Sequence, residues 1–318
     1  MTASTSCRSC HGDKLELVLD LGSTPLADAL LTPERLAAGD EPRFPLQVVF
    51  CHECALVQIN EDVPPQVLFV DNYLYFSSYS DYLVEHSRRH VENLIATRGL
   101  GPDSLAVEIA SNDGYLLQHF VKAGVPVLGI DPAPDQAAAA RKIGVPTDEI
   151  FFGLDEAKRM RSEGRVADVI VANNVMAHVP DLTSFVAGMA HLLADDGVIT
   201  VENPSVWDLV ERGAFDTIYH EHFMYYSCLS VDALMRQHGL FLNDVEYFPD
   251  LHGGTNRWYI GKREQPTDHL LSRLAAERQA GLDQFEFYAD FGTKVTDLCQ
   301  RLEGLVRGLV AEGKTVAA

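Results

Sequence analysis

The sequence predicts an α/β protein: a mostly parallel, doubly wound sheet, with a small four-cysteine zinc domain before it and a helical extension after it. Three observations carry this prediction. Strand-length apolar runs alternate with helical stretches through the middle of the chain. Two C-x-x-C pairs, Cys7 with Cys10 and Cys51 with Cys54, stand near the N-terminus. From Thr267 onward the pattern is helical only.

Composition bounds the partners. The chain has 318 residues, of which 46 are acidic and 25 basic, for a formal net charge of −21. That balance speaks against nucleic acid or an anionic membrane surface and leaves room for a phosphorylated small molecule. The N-terminus has no charged segment followed by an apolar one, and no apolar run approaches spanning length, so a cytoplasmic chain is expected. A monomer is expected too.

In the cysteine segment, each C-x-x-C pair places two thiolates on one tight knuckle, and two knuckles make a closed tetrahedral shell. Cys7, Cys10, Cys51 and Cys54 are therefore expected to hold one structural zinc ion. His11 and His52 lie beside the knuckles as alternative ligands. A segment this poor in apolar residues needs the metal to fold. Cys228 and Cys299 read as ordinary buried thiols. Asp71 to Tyr82 is dense in tyrosine and reads either as an interdomain packing surface or as a lid over a polar ligand. A helix is expected from Ser80 to Arg98, with Gly99 as its stop.

Leu105 to Leu117 organises the middle of the chain: an apolar run broken only by Glu108, a turn of Ala110, Ser111, Asn112 and Gly114, then a helix start. The next apolar run, Val125 to Ile130, ends in Asp131, where a doubly wound sheet holds a ribose diol. The turn lacks the three-glycine dinucleotide fingerprint, so a nucleoside without phosphates fits it better, S-adenosylmethionine being the common one. Further helices are expected at 136–142, 155–163, 183–193 and 229–238. Strands are expected at 149–152, 167–173 and 198–202, with a closing antiparallel pair at 245–248 and 257–260. The strand ends carry Glu108, Asp131, Phe152, Asn173 and Glu202, the edge where ligands of such sheets bind. In the last segment, Tyr288, Phe291, Val295, Leu298, Leu302, Leu305 and Leu309 recur at spacings of three and four and predict a seam to be buried. The final residues read as a turn entering a strand.

The densest reactive cluster is Thr217-Ile-Tyr-His-Glu-His222. Histidine takes a proton near neutral pH, a carboxylate can hold its tautomer, and a tyrosine hydroxyl can donate to an oxyanion. Such a set suits removal of a proton α to a carbonyl. His178, just past a strand, reads equally as a site residue or a packing residue. His252-Gly-Gly-Thr255 is a glycine turn with Arg257 beyond it, either a plain hairpin or a place where backbone and Arg257 meet phosphate.

In order along the chain, the two cysteine pairs, Tyr73-Leu-Tyr75-Phe-Ser-Ser, Glu108-Ile-Ala-Ser-Asn112-Asp-Gly114, Asn173-Asn-Val-Met-Ala-His178, Ile218-Tyr-His-Glu-His222 and His252-Gly-Gly-Thr255 carry a resemblance. The chain resembles the sugar C-methyltransferases of deoxysugar biosynthesis, close to those acting at C-3 of nucleotide-linked 4-keto sugars. The resemblance implies a zinc domain, a Rossmann-like S-adenosylmethionine-binding domain and a C-terminal domain. It also implies a substrate cavity lined by Tyr73, His178, Tyr219, Glu221 and His222. One glycine usual in the cofactor loop is Ala110 here. Family members continue into a further domain, so the chain is expected to lack most of it.

The resulting expectation is a C-methyltransferase adding a methyl to C-3 of a nucleotide-linked, dTDP-type 4-keto-deoxysugar through an enolate. His222 is the base, oriented by Glu221, with Tyr219, His178 and Tyr73 completing the catalytic set. Glu108, Ala110, Ser111, Asn112, Gly114, Asp131, Pro132, Phe152, Asn173 and Asn174 are assigned to the cofactor, and Tyr75, His252, Thr255 and Arg257 to the substrate. Domains are expected at 1–75 (zinc and Tyr-rich lid), 76–265 (cofactor) and 266–318 (helical). The rival readings are an O- or N-methyltransferase on a related small molecule and a non-catalytic cofactor-binding scaffold.

Overall fold

The computed structural model describes residues 5–27, 29–39, 41–61, 63, 68 and 74–317. Two sheets organise them. The larger has seven strands: β4 (Ala106–Ile109), β5 (Val127–Ile130), β6 (Thr147–Asp148), β7 (Ala167–Asn173), β8 (Leu193–Pro204), β10 (Phe241–Phe248) and β11 (Thr255–Gly261). Across the sheet their order is β10-β11-β8-β7-β4-β5-β6. All neighbours are parallel except around β11, which is antiparallel to both β8 and β10. The chain leaves β4 for β5 on one side and later returns to pair β7 on the other. That reversal puts a crevice at the carboxyl ends of β4 and β7.

Both faces of this sheet are covered, as the apolar runs require. Along β7, Val169 and Val171 face one core cluster while Ile170 and Ala172 face the other. The helix α2 (Asp81–Arg98; the short α1 is Pro33–Ala38) covers the first face. Ser80 caps it by accepting from the Leu83 N–H, and Gly99 ends it in the left-handed region. His86 and His90, four apart on one side of α2, meet Glu202 and Thr200, two apart on one face of β8. The crossover helices α3 (Leu117–Lys122), α4 (Pro134–Lys142), α5 (Leu154–Ser162) and α6 (Leu182–Leu192) follow their strands in turn. Asp181 caps α6 by accepting from the Ser184 N–H. Then come α7 (Val206–Arg212) and α8 (Cys228–Gln237).

The smaller sheet is antiparallel: β1 (Leu15–Pro25), β2 (Arg43–Cys51), β3 (Val57–Ile59) and, from far along the chain, β9 (Met224–Tyr225). Val57 pairs with Tyr225 and Gln58 with Met224. The cysteine segment thus completes its sheet with a strand that lies between β8 and α8 in sequence.

Four expectations need correction. The third parallel strand is Thr147–Asp148 and not 149–152, because only Gly129 and Ile130 of β5 offer it partners. The chain then turns away and packs Phe152 edge-on against Phe185. The C-terminal seam is half buried. In α9 (Asp268–Ala280) and α10 (Phe291–Ala311) and the turn between them, Tyr288, Phe291 and Val295 are enclosed, whereas Leu302 and Leu305 are 56% and 61% exposed. Residues 314–317 form no strand. Cys299 is exposed on α10, while Cys228 is buried and accepts from the Trp258 indole. No helix among the described residues is long and apolar enough to cross a membrane.

Candidate active site and zinc centre

The four sulfurs of Cys7, Cys10, Cys51 and Cys54 lie within 4.8 Å of one another. Cys7 Sγ to Cys54 Sγ and Cys10 Sγ to Cys51 Sγ are each 3.6 Å. Tetrahedral zinc with bonds of about 2.3 Å would hold its sulfurs about 3.8 Å apart, so the donor set fits that ion with little movement. Each knuckle turns back on itself: the N–H of His11 reaches the Cys7 carbonyl and that of Ala55 the Cys51 carbonyl, with both residues in the left-handed region. The neighbouring histidines take no part. His11 lies by Thr183, and His52 pairs with Glu16. A closed four-sulfur shell makes the zinc structural.

At the carboxyl ends of β4, β5 and β7 opens a cavity of about 1040 Å³. Ala110, Asn112, Asp131, Pro132, Phe152, Asn173 and Asn174 line it, together with Tyr75, His178, Tyr219, Glu221, His222 and His252. The loop after β4 explains the cofactor end. Ala110 sits at φ 58°, where a side chain costs about 1 kcal/mol, which is why glycine would be natural there. Ser111 and Gly114 pack behind the loop instead of lining the cavity. A methyl on Gly129 would strike Ser111 Oγ at 2.5 Å, and one on Gly114 would press on Val145, Ile143 and Ala140.

Asp131 is gripped from behind. Its two carboxylate oxygens accept from the backbone N–H groups of Asn112 and Ala133 at 2.8 and 2.9 Å. Burial nevertheless pushes its pKa up to about 6, with those two N–H groups opposing. Asp131 also lines the cavity. Glu108 lies one layer deeper, 1% exposed, with neither oxygen in a normal hydrogen bond. Burial first, then Asp131 and Asp113, raise its pKa well above the carboxylate range, while the Leu117 backbone opposes. A buried acid just behind the cavity wall, with neither oxygen in a normal hydrogen bond, is what a polar cofactor would satisfy. These residues fit S-adenosylmethionine.

Asn112 serves the Tyr-rich stretch as well. Its side chain accepts from the Ser77 N–H and donates to the Tyr75 carbonyl, and Asp113 accepts from Ser78 N–H. Residues 75–78 are thereby strapped over the cofactor loop. Tyr73 lies outside the described residues.

At the other end of the cavity, the residues of the Tyr219–His222 run behave differently from one another. His222 Nδ1 lies 2.8 Å from the Thr217 carbonyl and must donate to it, which leaves the Nε2 lone pair free to accept. The Tyr219 hydroxyl donates to Nε2 at 3.1 Å, with the two rings 4.2 Å apart. The His178 ring stands 4.7 Å from that of His222. The Thr217 carbonyl therefore fixes the His222 tautomer, not Glu221 as the sequence suggested. Glu221 is buried on the cavity wall, and its backbone contacts His178. Burial lowers the pKa of His222, the Thr217 carbonyl opposes, and His252 adds to the lowering. Burial, then His222, brings His178 to about 3. Both rings are neutral near pH 7.

Two substrate assignments fail on geometry. Arg257 is buried and engaged: its Nε and Nη2 reach Glu202 at 2.6 and 2.5 Å, and Nη1 reaches Glu246 at 2.7 Å. The Thr255 hydroxyl is buried and donates to the Leu251 carbonyl. Neither lines the cavity. Sequence reasoning missed Tyr115, buried on the cavity wall and bonded to Asn173. An aromatic directly after a strand-ending turn was the available signal. It also missed the Thr217 carbonyl, for which no side-chain signal exists.

Three family models match in series. Residues 7–69 match "Putative zinc binding domain", 85–243 match "Methyltransferase domain" and 250–318 match "C-methyltransferase C-terminal domain". C-methyltransferase NovU of Streptomyces niveus is 37% identical over 317 residues, which cover 98% of this chain and 74% of that one. A ubiquinone biosynthesis O-methyltransferase of Methylobacterium sp. (strain 4-46) is 35% identical over 95 residues, 27% of this chain and 37% of that one. Among solved structures, the magnesium protoporphyrin IX methyltransferase ChlM of Synechocystis PCC 6803 with bound SAH aligns at a TM-score of 0.45 with 14% identity. That alignment covers 61% of this chain and 90% of that one. With its cysteine shell, its central sheet and its C-terminal helices each matched, and a C-methyltransferase aligned along nearly all of it, the chain belongs to the S-adenosylmethionine-dependent C-methyltransferases.

Proposed function

We propose that the enzyme methylates the carbon next to the ketone, C-3, of a nucleotide-linked 4-keto-deoxysugar, and that His222 is the base. The observation that carries this is the His222 environment: Nδ1 tied to the Thr217 carbonyl, Nε2 presented to the cavity, and a tyrosine hydroxyl 3.1 Å from it. The cofactor, when bound, supplies an electrophilic methyl group. The ketone acidifies the adjacent C–H. His222 Nε2 takes that proton, and the electron pair left on carbon would be the nucleophile for the methyl group that the bound cofactor supplies, with the cofactor's sulfur as the leaving group. Tyr219, which caps Nε2 in this structure, turns its O–H toward the ketone oxygen when substrate enters and steadies the enolate. His178, held neutral, packs against His222 and keeps water from it. Imidazolium then returns its proton to solvent.

The cavity wall carries Asp131, Asp155, Glu156, Asp181, Asp216 and Glu221, and no lysine or arginine among the described residues. This supports a neutral keto-sugar ring inside, with the nucleotide diphosphate lying at the opening. The test follows the C-3 proton of a dTDP-4-keto-2,6-dideoxyhexose by mass spectrometry in heavy water. Deuterium enters with wild-type protein, and a methyl on carbon follows when S-adenosylmethionine is added. His222→Asn lowers the rate on the order of 10²–10⁴-fold and leaves cofactor affinity unchanged. Because burial lowers the His222 pKa, the base stays unprotonated to lower pH. The acid limb of kcat therefore falls below the ordinary histidine value of 6.5. An unimpaired H222N, or methyl gain without exchange, overturns the reading.

A further inference from the structure

His220 is the one residue of the Tyr219–His222 run that turns its side chain away from the cavity. It is 1% exposed, its Nε2 lies 2.9 Å from the Pro45 carbonyl, and its ring meets Phe44 edge-on at 5.8 Å. Both partners belong to β2, the strand that ends in the zinc ligand Cys51. Three residues on, the loop is tied to the same module again. The Phe223 carbonyl accepts from the Ile59 N–H at 2.9 Å, and its ring lies 4.9 Å under the Arg8 guanidinium, next in sequence to Cys7. Arg8 in turn donates to the Glu61 carbonyl. Met224 and Tyr225 then pair with β3. His222 therefore hangs between two anchors, and both anchors are on the zinc module.

We propose that His220 is a positioning residue for the catalytic base. Resting on the reading of His222 as that base, it holds the start of the loop to β2 so that His222 Nε2 stands at the right height over the cavity. The C-terminal anchor is a strand pairing and is stiff; the N-terminal anchor is the His220 hydrogen bond to β2, with Ile218 buried in the core just before it. The Thr217 carbonyl that sets the His222 tautomer lies only three residues before His220. A slack loop start thus disturbs both the position and the tautomer of the base. Displacements of about 1 Å in a reacting group cost on the order of 10²-fold in rate.

The experiment compares His220→Ala, His220→Gln and His220→Asn with His222→Asn, using dTDP-4-keto-2,6-dideoxyhexose and S-adenosylmethionine. Gln keeps an N–H donor long enough to reach the Pro45 carbonyl; Asn is too short. Expected are a kcat for H220A lowered about 10–100-fold, a parallel loss of deuterium exchange, unchanged cofactor affinity, and recovery in H220Q but not H220N. The acid limb of kcat in H220N also moves up toward the ordinary histidine value as His222 becomes wetter. Folded H220A with wild-type kcat, or equal kcat for the Gln and Asn variants, overturns the proposal. The Gln–Asn comparison decides it even where H220A does not fold. Activity retained in H222N would instead remove the base assignment itself.

Discussion

Replacing Arg257 by leucine tests whether its guanidinium serves the fold or a ligand phosphate. Were Arg257 a phosphate contact, Arg257→Leu would raise KM and leave the fold alone. In the structure Glu202 is fully enclosed, Arg257 is 5% exposed at its side chain, and their closest approach is 2.5 Å. His86 Nε2 stands 3.1 Å from each Glu202 oxygen and 2.8 Å from Arg257. Burial alone would raise the Glu202 pKa; Arg257, and after it His86, bring it down to about 2. Removing the arginine strands a buried carboxylate, which costs about 3–5 kcal/mol. At about 2 °C per kcal/mol for a chain of this size, Tm should fall by about 6–10 °C at neutral pH.

The pH dependence of that loss has a definite sign. Wild-type Glu202 has a folded pKa below the ordinary 4.5, so its contribution is present above 4.5 and lost as pH falls toward 2. In Arg257→Leu, burial acts unopposed by the arginine and the folded pKa rises, so the variant is penalised above 4.5. The gap between the two proteins is therefore widest near neutrality and closes in acid. Removing both partners, as Glu202→Leu with Arg257→Leu, should recover most of the loss, since an apolar pair leaves no unpaired charge. Thermal and urea melts at several pH values read all three variants. An Arg257→Leu protein that melts as wild type but binds nucleotide sugar weakly would refute the structural role.

Two other perturbations test the cofactor end and the metal. Glu108→Gln removes a buried acid whose pKa is raised by burial, Asp131 and Asp113. Ionisation of the unfolded chain makes wild type lose stability as pH rises above the ordinary carboxylate value, so the variant should melt higher than wild type at pH 8 and equally at pH 4, while binding S-adenosylmethionine more weakly by calorimetry. Chelation under reducing conditions should release one zinc per chain by elemental analysis and deprotect β1–β3 in hydrogen exchange, with β9 following because Tyr225 and Met224 pair with β3. Protection of β9 without metal would mean that the two sheets are independent.

The central sheet was legible because its strands are buried on both faces and their apolar runs are interrupted only at ends. Ala167–Asn173 needed no adjustment, and Asp81–Arg98 lost only its capping serine. The failures share a cause in pairing. A strand of two residues such as Thr147–Asp148 has too little sequence to show a period, and its extent is decided by how much of β5 is exposed to it. The small sheet was missed for the same reason at longer range. Nothing in Met224–Tyr225 announces that it completes a sheet with residues more than 160 positions earlier. A seam read from periodicity says which side of a helix is apolar; it does not say how far along the helix a partner extends, and Leu302 and Leu305 lie past the end of it.

The site divides along a similar line. Residues whose side chains line the crevice were readable: Asp131 at a strand end, and the Tyr219, Glu221 and His222 set beyond the fifth parallel strand. Roles that depend on backbone were not. The neighbouring carboxylate Glu221 looked like the natural partner for His222, yet a residue adjacent in sequence can seldom fold back onto its neighbour's ring, whereas a carbonyl five residues earlier can when the loop closes on itself, as the His222 N–H to Tyr219 carbonyl bond shows that it does. Arg257 misled in the opposite direction. Its neighbourhood to a glycine turn was real, and His252 and Gly253 of that turn do line the cavity. Strand alternation decides the rest: Arg257 lies opposite Glu202 in the β11–β8 register, and a buried carboxylate of β8 claims the guanidinium before any ligand can. A charged residue inside a strand should accordingly be checked first against the charges its register places across from it.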